Sequence, residues 1–304
     1  MGVVNTGLLT AGLRSDFFNR YNSLPSMSDR LATRVASGLA TEQYRWLGMV
    51  PQMREWVAGR QLKGLRSESY DVDNLRYEAS IAVDQVELDR DQTGQIRMRI
   101  NEMADRAASH KDFLISALLH NGGTAGYVSY DGLTYFNDAH VSGASGNQDN
   151  NRTSAAATGT QPTVAEFQAA MEEGWAAMRS FKDDQGEPLN IRFDGVVVIV
   201  PPCYEWVARQ ALNATIIAAT DNVMRGAADV MVDLFSPDVD RFYLALTGAN
   251  LRPFIFQDEK PITFEAVAEN DAEARFFQEH KYGVDARYAI AYAAWYTIVR
   301  HIFT

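Results

Sequence analysis

The 304 residues carry 28 Lys and Arg against 39 Asp and Glu, a formal charge of -11, and 46% of them are apolar. That apolar share supports a core in one large or two small domains, while the acidic balance excludes a surface built to grip nucleic acid, which needs cations at the phosphates. A lone cysteine, Cys203, excludes a disulfide framework or a Cys-rich metal cluster. No apolar run reaches bilayer length, and Met1 to Leu13 lack the makings of a secretion signal, so a soluble, intracellular product is expected.

Residues 1 to about 58 do not read as a domain. Leu8, Leu9, Leu13, Phe17 and Phe18 form a short amphipathic patch, and Pro25 sits in a polar turn. Then comes a cluster of Tyr44, Arg45, Trp46, Leu47, Pro51, Met53, Arg54 and Trp56, residue types enriched at protein interfaces and equally ordinary in cores. From Gly59 to Asp91 the period becomes two. Leu75, Tyr77, Ala79, Ile81 and Val83 alternate with polar or small residues, predicting a strand with one buried face, a bulge near Gln85, and an antiparallel partner within Leu65 to Val72. A lone ribbon of this kind is marginal in water. Ninety residues of arm and ribbon are therefore expected to pack on neighbouring copies of the chain.

Gln92 to His120 predicts a helix. Ile96, Ile100, Met103, Ala107, Leu114 and Leu118 recur at steps of three, four or seven, which gives a rod roughly 40 Å long. Thr93 and Gly94 can open it, Asn121 to Gly123 offer left-handed residues to close it, and Ser109 to Asp112 could kink it. Tyr127 to Phe136 reads as a hairpin around Asp131-Gly132, and 137–162 as a surface loop. Thr163 and Glu166 form a capping box ahead of a helix burying Val164, Phe167, Met171, Trp175 and Met178.

Val196 to Val200 suits a central strand, and Pro201-Pro202 opens a helix from Tyr204 to Ala219. Phe242 to Leu246, Pro253 to Gln257 and Ile262 to Val267 read as strands, and Asp271 to His280 as a helix. From Val284 to Phe303 the pattern fits a helical stripe or a strand face equally. Arms, then a helix, then mixed elements make an α+β chain rather than a βαβ series.

Catalytic constellations are missing from this pattern. The five histidines, at 110, 120, 140, 280 and 301, have no metal-ligand spacing, and Gly122 to Gly126 lacks the order of a dinucleotide or phosphate loop. Gly143 to Gly146 is not a nucleophile elbow. Cys203 follows two prolines at a helix start, which favours a thiolate, yet no histidine partner is identifiable. Lys63, alone in the ribbon, reads as a solvated charge ahead of a cross-linking group.

Glu42, Tyr44, Trp46-Leu47-Gly48, Pro51, Met53-Arg54-Glu55-Trp56 and Gly59-Arg60 together resemble the N-terminal signature of the Mu-like phage major head subunits. The similarity continues through Tyr70, Val72, Asn74, Tyr77-Glu78, Ala107-Ala108, His110, Asp112, Tyr130-Asp131-Gly132, Tyr135-Phe136 and His140-Val141. It resumes in Arg252 to Gln257, Tyr282-Gly283-Val284, Ala286-Arg287 and Trp295. Lys111 stands where the family often has Pro, Val follows His140 where the family has Pro, and the 137–162 loop is this chain's own.

The resemblance implies the HK97-type capsid fold, with an N-arm at 1–58 and an E-loop at 59–91. The peripheral domain with its spine helix would take 92–121 and 258–304, and 122–257 would be mainly axial domain. The tail would then be a long strand beside the spine. Trp46, Arg54, Trp56, Arg60, Arg66, Tyr70, Tyr77 and Glu78 are the expected subunit-interface residues, and removing 60–90 is expected to block shell formation. The expected partners are copies of the chain in hexamers and pentamers, a portal, optionally a decoration protein, and enclosed double-stranded DNA without sequence-specific binding. The absence of a long charged prosegment points to a separate scaffolding protein. No cofactor, metal or membrane is expected, and the protein would reside in the virion after assembly in host cytoplasm. A nanocompartment shell of the same fold is the alternative, and a soluble α+β enzyme using Asp, Glu or Cys203 a third.

Overall fold

In the computed structural model, residues 6–44, 70–90, 94–189, 195–267 and 271–304 are described. The chain runs α1 (Thr6–Ser23), α2 (Met27–Leu31), β1 (Ala32–Ala36), β2 (Thr41–Tyr44), β3 (Tyr70–Asp73), β4 (Leu75–Asp84), α3 (Gln85–Arg90), α4 (Gln95–Asn121), β5 (Asn151–Ser154), α5 (Val164–Ser180), β6 (Val196–Val200), α6 (Glu205–Asn213), β7 (Ile216–Ile217), β8 (Thr220–Asp221), β9 (Asp229–Val232), β10 (Arg241–Leu246), β11 (Phe254–Val267), α7 (Ala272–Phe277), β12 (Glu279–Tyr292) and β13 (Ile298–Phe303). Two larger sheets result, ordered β1-β11-β12-β4 and β5-β13-β10-β6-β9.

The predicted rod is one continuous helix of 27 residues, about 40 Å long. Asp112, at the expected kink, instead accepts hydrogen bonds from Ser26 Oγ (2.6 Å) and the Met27 amide (2.8 Å), tying down the start of α2. The rod spans two cores. Its first half carries Ile96, Ile100, Met103 and Ala104 into a cluster with Leu13, Phe17, Phe264, Tyr282 and Val284. Its second half carries Ile115 and Leu119 into the main core beneath the five-stranded sheet. The inward stripe there lies one residue along from Leu114 and Leu118, which are only partly buried.

Gly94 opens the rod in the left-handed region (φ 73°), but Gly122 and Gly123 close it for a different reason from the one expected. Gly122 is right-handed, and a Cβ there would lie 2.7 Å from the Phe136 ring. The glycines serve close approach rather than positive φ.

The leading segments do find apolar partners within their own chain, contrary to expectation. Helix α1 runs parallel to α4, with Arg97 Nη2 2.5 Å from Asp16 Oδ1 and a two-pronged pair from Arg20 to Asp105 at 2.5 and 3.0 Å. Phe17 is fully buried between them and Phe264. β1 adds to β11 in parallel.

The ribbon differs too. From Tyr77 on, β4 has the predicted alternation of half-buried and exposed residues, although Leu75 is exposed. Among the described residues all ten of its positions pair with β12, while β3 pairs with β2, and residues 65–69 of the expected partner lie outside the described residues. Strand pairing thus follows the long tail strand, whose large residues Tyr282, Val284 and Tyr288 give β4 the buried face it lacks alone. Past Asp84 the chain turns into α3 instead of a bulged strand, with Asp84 Oδ1 accepting from the Val86 amide at 2.7 Å.

Pro253 to Val267 is essentially one strand, with register irregularities between Asp258 and Thr263, around Pro261, which has no amide to donate. The tail is strand, as the resemblance implies, but divided. β12 serves the four-stranded sheet, and after a 3-10 turn at Trp295–Thr297, β13 enters the five-stranded sheet between β5 and β10.

The fully buried β6 lies between β10 and β9, as its all-apolar run predicts. Thr163 and Glu166 make the predicted capping box on α5. The helix after Pro201-Pro202 stops at Asn213, where Ala214 turns extended, and the rest of the expected helix forms the β7–β8 hairpin with Ala218 and Ala219 left-handed at its turn. The helix expected over Asp271 to His280 gives way to β12 at Glu279, and spans Ala272–Phe277.

The loop at 137–162 is partly internal. Asn150, fully buried, donates to the carbonyls of Tyr135 (2.9 Å) and Trp295 (3.2 Å) and accepts from the Asn137 amide (2.9 Å). His140 stacks on Trp295, ring centres 4.2 Å apart and planes at 3°, and meets Asp131 Oδ2 through Nδ1 at 2.6 Å.

Candidate subunit-interface surfaces

Strand β4 sorts its side chains by parity, and this decides what it can offer a neighbour. Tyr77, Ala79, Ile81 and Val83 face the chain's own core, and Arg76, Glu78, Ser80, Ala82 and Asp84 face out. Tyr77 packs against the rings of His110 (4.5 Å) and Tyr288 (4.7 Å), and burial raises its hydroxyl pKa. His110 Nδ1 and the Tyr288 hydroxyl are 2.6 Å apart, so this cluster fastens the sheet to the rod. Burial lowers the His110 pKa, favouring the neutral ring.

Among the expected interface residues, Tyr70 is half-buried between two of the chain's own clusters, with its hydroxyl pushed up to about 12 by burial. Glu78 is exposed and accepts from Ser80 Oγ at 3.0 Å. Trp46, Arg54, Trp56, Arg60 and Arg66, like Lys63, lie outside the described residues. Tyr70 and Tyr77 are thus turned inward and Glu78 outward.

Sequence reading missed several exposed apolar side chains. On α4, Phe113 is 50% exposed and meets Phe235 edge-on at 5.8 Å, beside Leu234 at 77%. The loop carrying them is fastened to α4 by Asp238, whose Oδ1 lies 2.9 Å from His120 Nδ1. On α6, Ala208, Ala211 and Leu212 point inward and leave Trp206 77% exposed. At the end of the four-stranded sheet, Phe276 and Phe277 are 81% and 61% exposed. Helical phase could have found Phe113 and Trp206, because each lies about 200° from a buried residue two places on. Contiguous exposed apolar groups, unlike single ones, are candidate surfaces for partners.

Activated groups are scarce by comparison. The Cys203 thiol is pushed up by burial although the residue as a whole is exposed, the reverse of the expected thiolate. Among the described residues no group of three His, Cys, Asp or Glu is placed to hold a metal ion, and no helix is long and apolar enough to cross a membrane.

Comparison with known proteins agrees with this architecture. The family model "Mu-like prophage major head subunit gpT" matches residues 7–167, 165–235 and 236–301. The major capsid protein of Escherichia phage Mu is 26% identical over 132 residues, 43% of each chain. The Mu-like prophage FluMu major head subunit of Haemophilus influenzae is 28% identical over 163 residues, 53% of this chain and 52% of its own. The chain therefore aligns with about half the length of these relatives. The procapsid of bacteriophage JBD30 superposes with a TM-score of 0.58 at 20% identity, covering 99% of this chain and 76% of the other. The α+β arrangement of rod and two sheets is the HK97-type capsid fold, and the chain belongs to the Mu-like prophage major head subunit family.

Proposed function

We propose that this chain is the major head subunit of a tailed, Mu-like phage or prophage, forming the hexamers and pentamers of an icosahedral shell around double-stranded DNA. The carrying observation is the family match, which runs in three segments from residue 7 to residue 301. It favours a phage head over a nanocompartment shell. The role is structural rather than catalytic, and the protein resides in the virion after assembly in the host cytoplasm. Closed rings need heterologous contacts, and many modest ones sum to a firm shell. The net charge of -11 suits a wall that encloses DNA without gripping it.

The domain reading belongs to the same proposal: N-arm 1–58, E-loop 59–91, peripheral domain 92–121 and 258–304, and mainly axial domain 122–257. Trp46, Arg54, Trp56, Arg60, Arg66, Tyr70, Tyr77 and Glu78 are its interface set. Glu78 is the described member best placed to reach a neighbour, by its exposure. A separate scaffolding protein and a portal are the partners this role calls for, with a decoration protein optional. Negative-stain microscopy of the purified protein, alone and co-expressed with a scaffolding protein, tests the reading. Closed shells are expected, and a stable monomer under both conditions would overturn it.

A further inference from the structure

Between α1, α4 and strands β1 and β11 lies a cleft of about 450 Å³, adjoined by a second of about 400 Å³. Asp29, Arg34, Lys111 and Phe256 border both. The Lys111 ammonium stands 5.3 Å from the centre of the Tyr21 ring and 5.1 Å from that of Phe256, and the Arg34 guanidinium also lies over Phe256, at 5.6 Å. Arg34 is paired with Asp258. Arg252 donates to the backbone carbonyls of Asp29 and Ala32 at 2.6 and 3.1 Å. Among the described residues, Lys111 has no carboxylate within ion-pair distance.

On a chain of net charge -11 this cleft is an inversion: three cations, two carboxylates, and aromatic walls. Cations held over ring faces and partly desolvated are primed for an anion with apolar neighbours. A segment of the opposite character is the junction of β4 and α3. Residues 82–91 carry Asp84, Glu87, Asp89 and Asp91 against Arg90 alone, with Val83, Val86 and Leu88 between them. Glu87 is exposed, and Val86 is 46% exposed. The aromatic segment 45–69 is the wrong sign for the cleft, with five basic residues against two acidic.

We propose that the Lys111 cleft receives the acidic Asp84–Glu87 junction of a second copy of this chain, its carboxylates meeting the Lys111 ammonium and its valine lying on the aromatic wall. The inference rests on the head-subunit reading for its partner, and on charge and shape for the site.

The test pairs an assembly assay with a binding assay. Lys111→Glu and Glu87→Lys each lower shell yield at least tenfold, and the double reversal restores it to within about twofold. Lys111→Met, which keeps the stem's packing, lowers yield without rescue by Glu87→Lys. Circular dichroism confirms that every variant folds. In parallel, a labelled peptide of residues 82–91 binds the unassembled full-length chain and loses at least tenfold in affinity with Lys111→Met or with Glu87→Gln in the peptide.

Unchanged assembly by folded Lys111→Glu, no rescue in the double variant, or peptide binding indifferent to Lys111 would each overturn the proposal. So would displacement of the peptide at equal concentration by inorganic phosphate, by a short DNA duplex or by a peptide of residues 45–69. If the wild-type chain forms no shells, the head-subunit reading fails on its own and the peptide measurement still decides the site.

Discussion

The guanidinium of Arg300 fills the space where a side chain on Gly123 would begin: a Cβ built on that glycine falls 2.3 Å from Arg300 Nη2. Arg300 is buried in the middle of β13, with its guanidinium 4.9 Å from the centre of the Phe136 ring and Nε donating to Asn151 Oδ1 at 2.9 Å. It lies beside Gly123, just past the C-terminal end of α4, where the helix dipole favours a cation. Burial pulls the other way, lowering the Arg300 pKa.

Gly123→Ala is therefore expected to destabilise the folded chain by about 1–3 kcal/mol through overpacking. Arg300→Met in the same molecule returns part of that loss, because the two sites are in contact. Gly38→Ala, with open space around it, stays within about 0.5 kcal/mol of wild type. Denaturant titration of the unassembled chain checks all three, and a neutral Gly123→Ala would contradict the packing argument.

The distribution of the readable and the hidden follows from which interactions are local. The rod, the capping box, the alternation of β4 and the buried run of β6 are each set by residues within a few positions, and each stands in the fold. The pairing of β4 with β12, some two hundred residues on, leaves no mark in either strand's own pattern. Gly122 and Gly123 look like helix stops, and only the positions of Phe136 and Arg300 show why nothing larger fits. The inward and outward turns of Tyr77 and Glu78 follow from strand parity, yet which parity meets the core depends on α4 lying behind it.

Phe17 tests whether α1 belongs to its own globule. It is fully buried, stacked on Tyr21 at 5.9 Å and tilted against Phe264 at 5.6 Å. Phe17→Ala should cost about 3–5 kcal/mol in the unassembled chain. A variant as stable as wild type, measured by denaturant midpoint, would mean that α1 is not docked in solution.

The Asp131 carboxylate and the His140 ring form a nearly solvent-free pair, their side chains 6% and 0% exposed. Removing one partner leaves the other's polar group without its hydrogen bond in the interior, so Asp131→Ala should destabilise by about 1–3 kcal/mol. Tryptophan fluorescence reports the same event, because His140 lies flat on Trp295. An unchanged emission spectrum together with unchanged stability would refute the pairing.

Acid should weaken the fold through His301. Burial and the neighbouring Arg152 charge push its pKa down to about 3, so the folded ring stays neutral while the unfolded one protonates below about 6.5. Between those values the unfolded state binds more protons, and stability falls as pH falls, at up to about 1.4 kcal/mol per unit for this one group. His110, its pKa also lowered by burial, acts with the same sign. Unfolding free energies measured from pH 7 down to pH 4 should show a shallower slope in His301→Gln. An equal slope in wild type and variant would exclude His301 as the source.

Removing residues 60–90 no longer isolates the interface, because the cut takes out β4 and with it an edge strand of the four-stranded sheet. Point changes avoid this. Glu78→Lys reverses an exposed charge without touching the Tyr77 cluster, and Trp56→Ala with Arg60→Glu alters two members of the proposed interface set that lie outside the described residues. Glu78→Lys should leave the unfolding free energy of the unassembled chain within about 0.5 kcal/mol of wild type, and both variants should lower the yield of closed shells in sedimentation and microscopy. Trp206→Ala on α6 supplies a comparison: its side chain is 77% exposed and belongs to a different surface, and an equal loss there would show that shell contacts extend beyond the arm and ribbon. Normal shell yield in both the Glu78 and the Trp56/Arg60 variants would remove these residues from the interface and leave the exposed pairs Phe113–Phe235 and Phe276–Phe277 as the surfaces to examine.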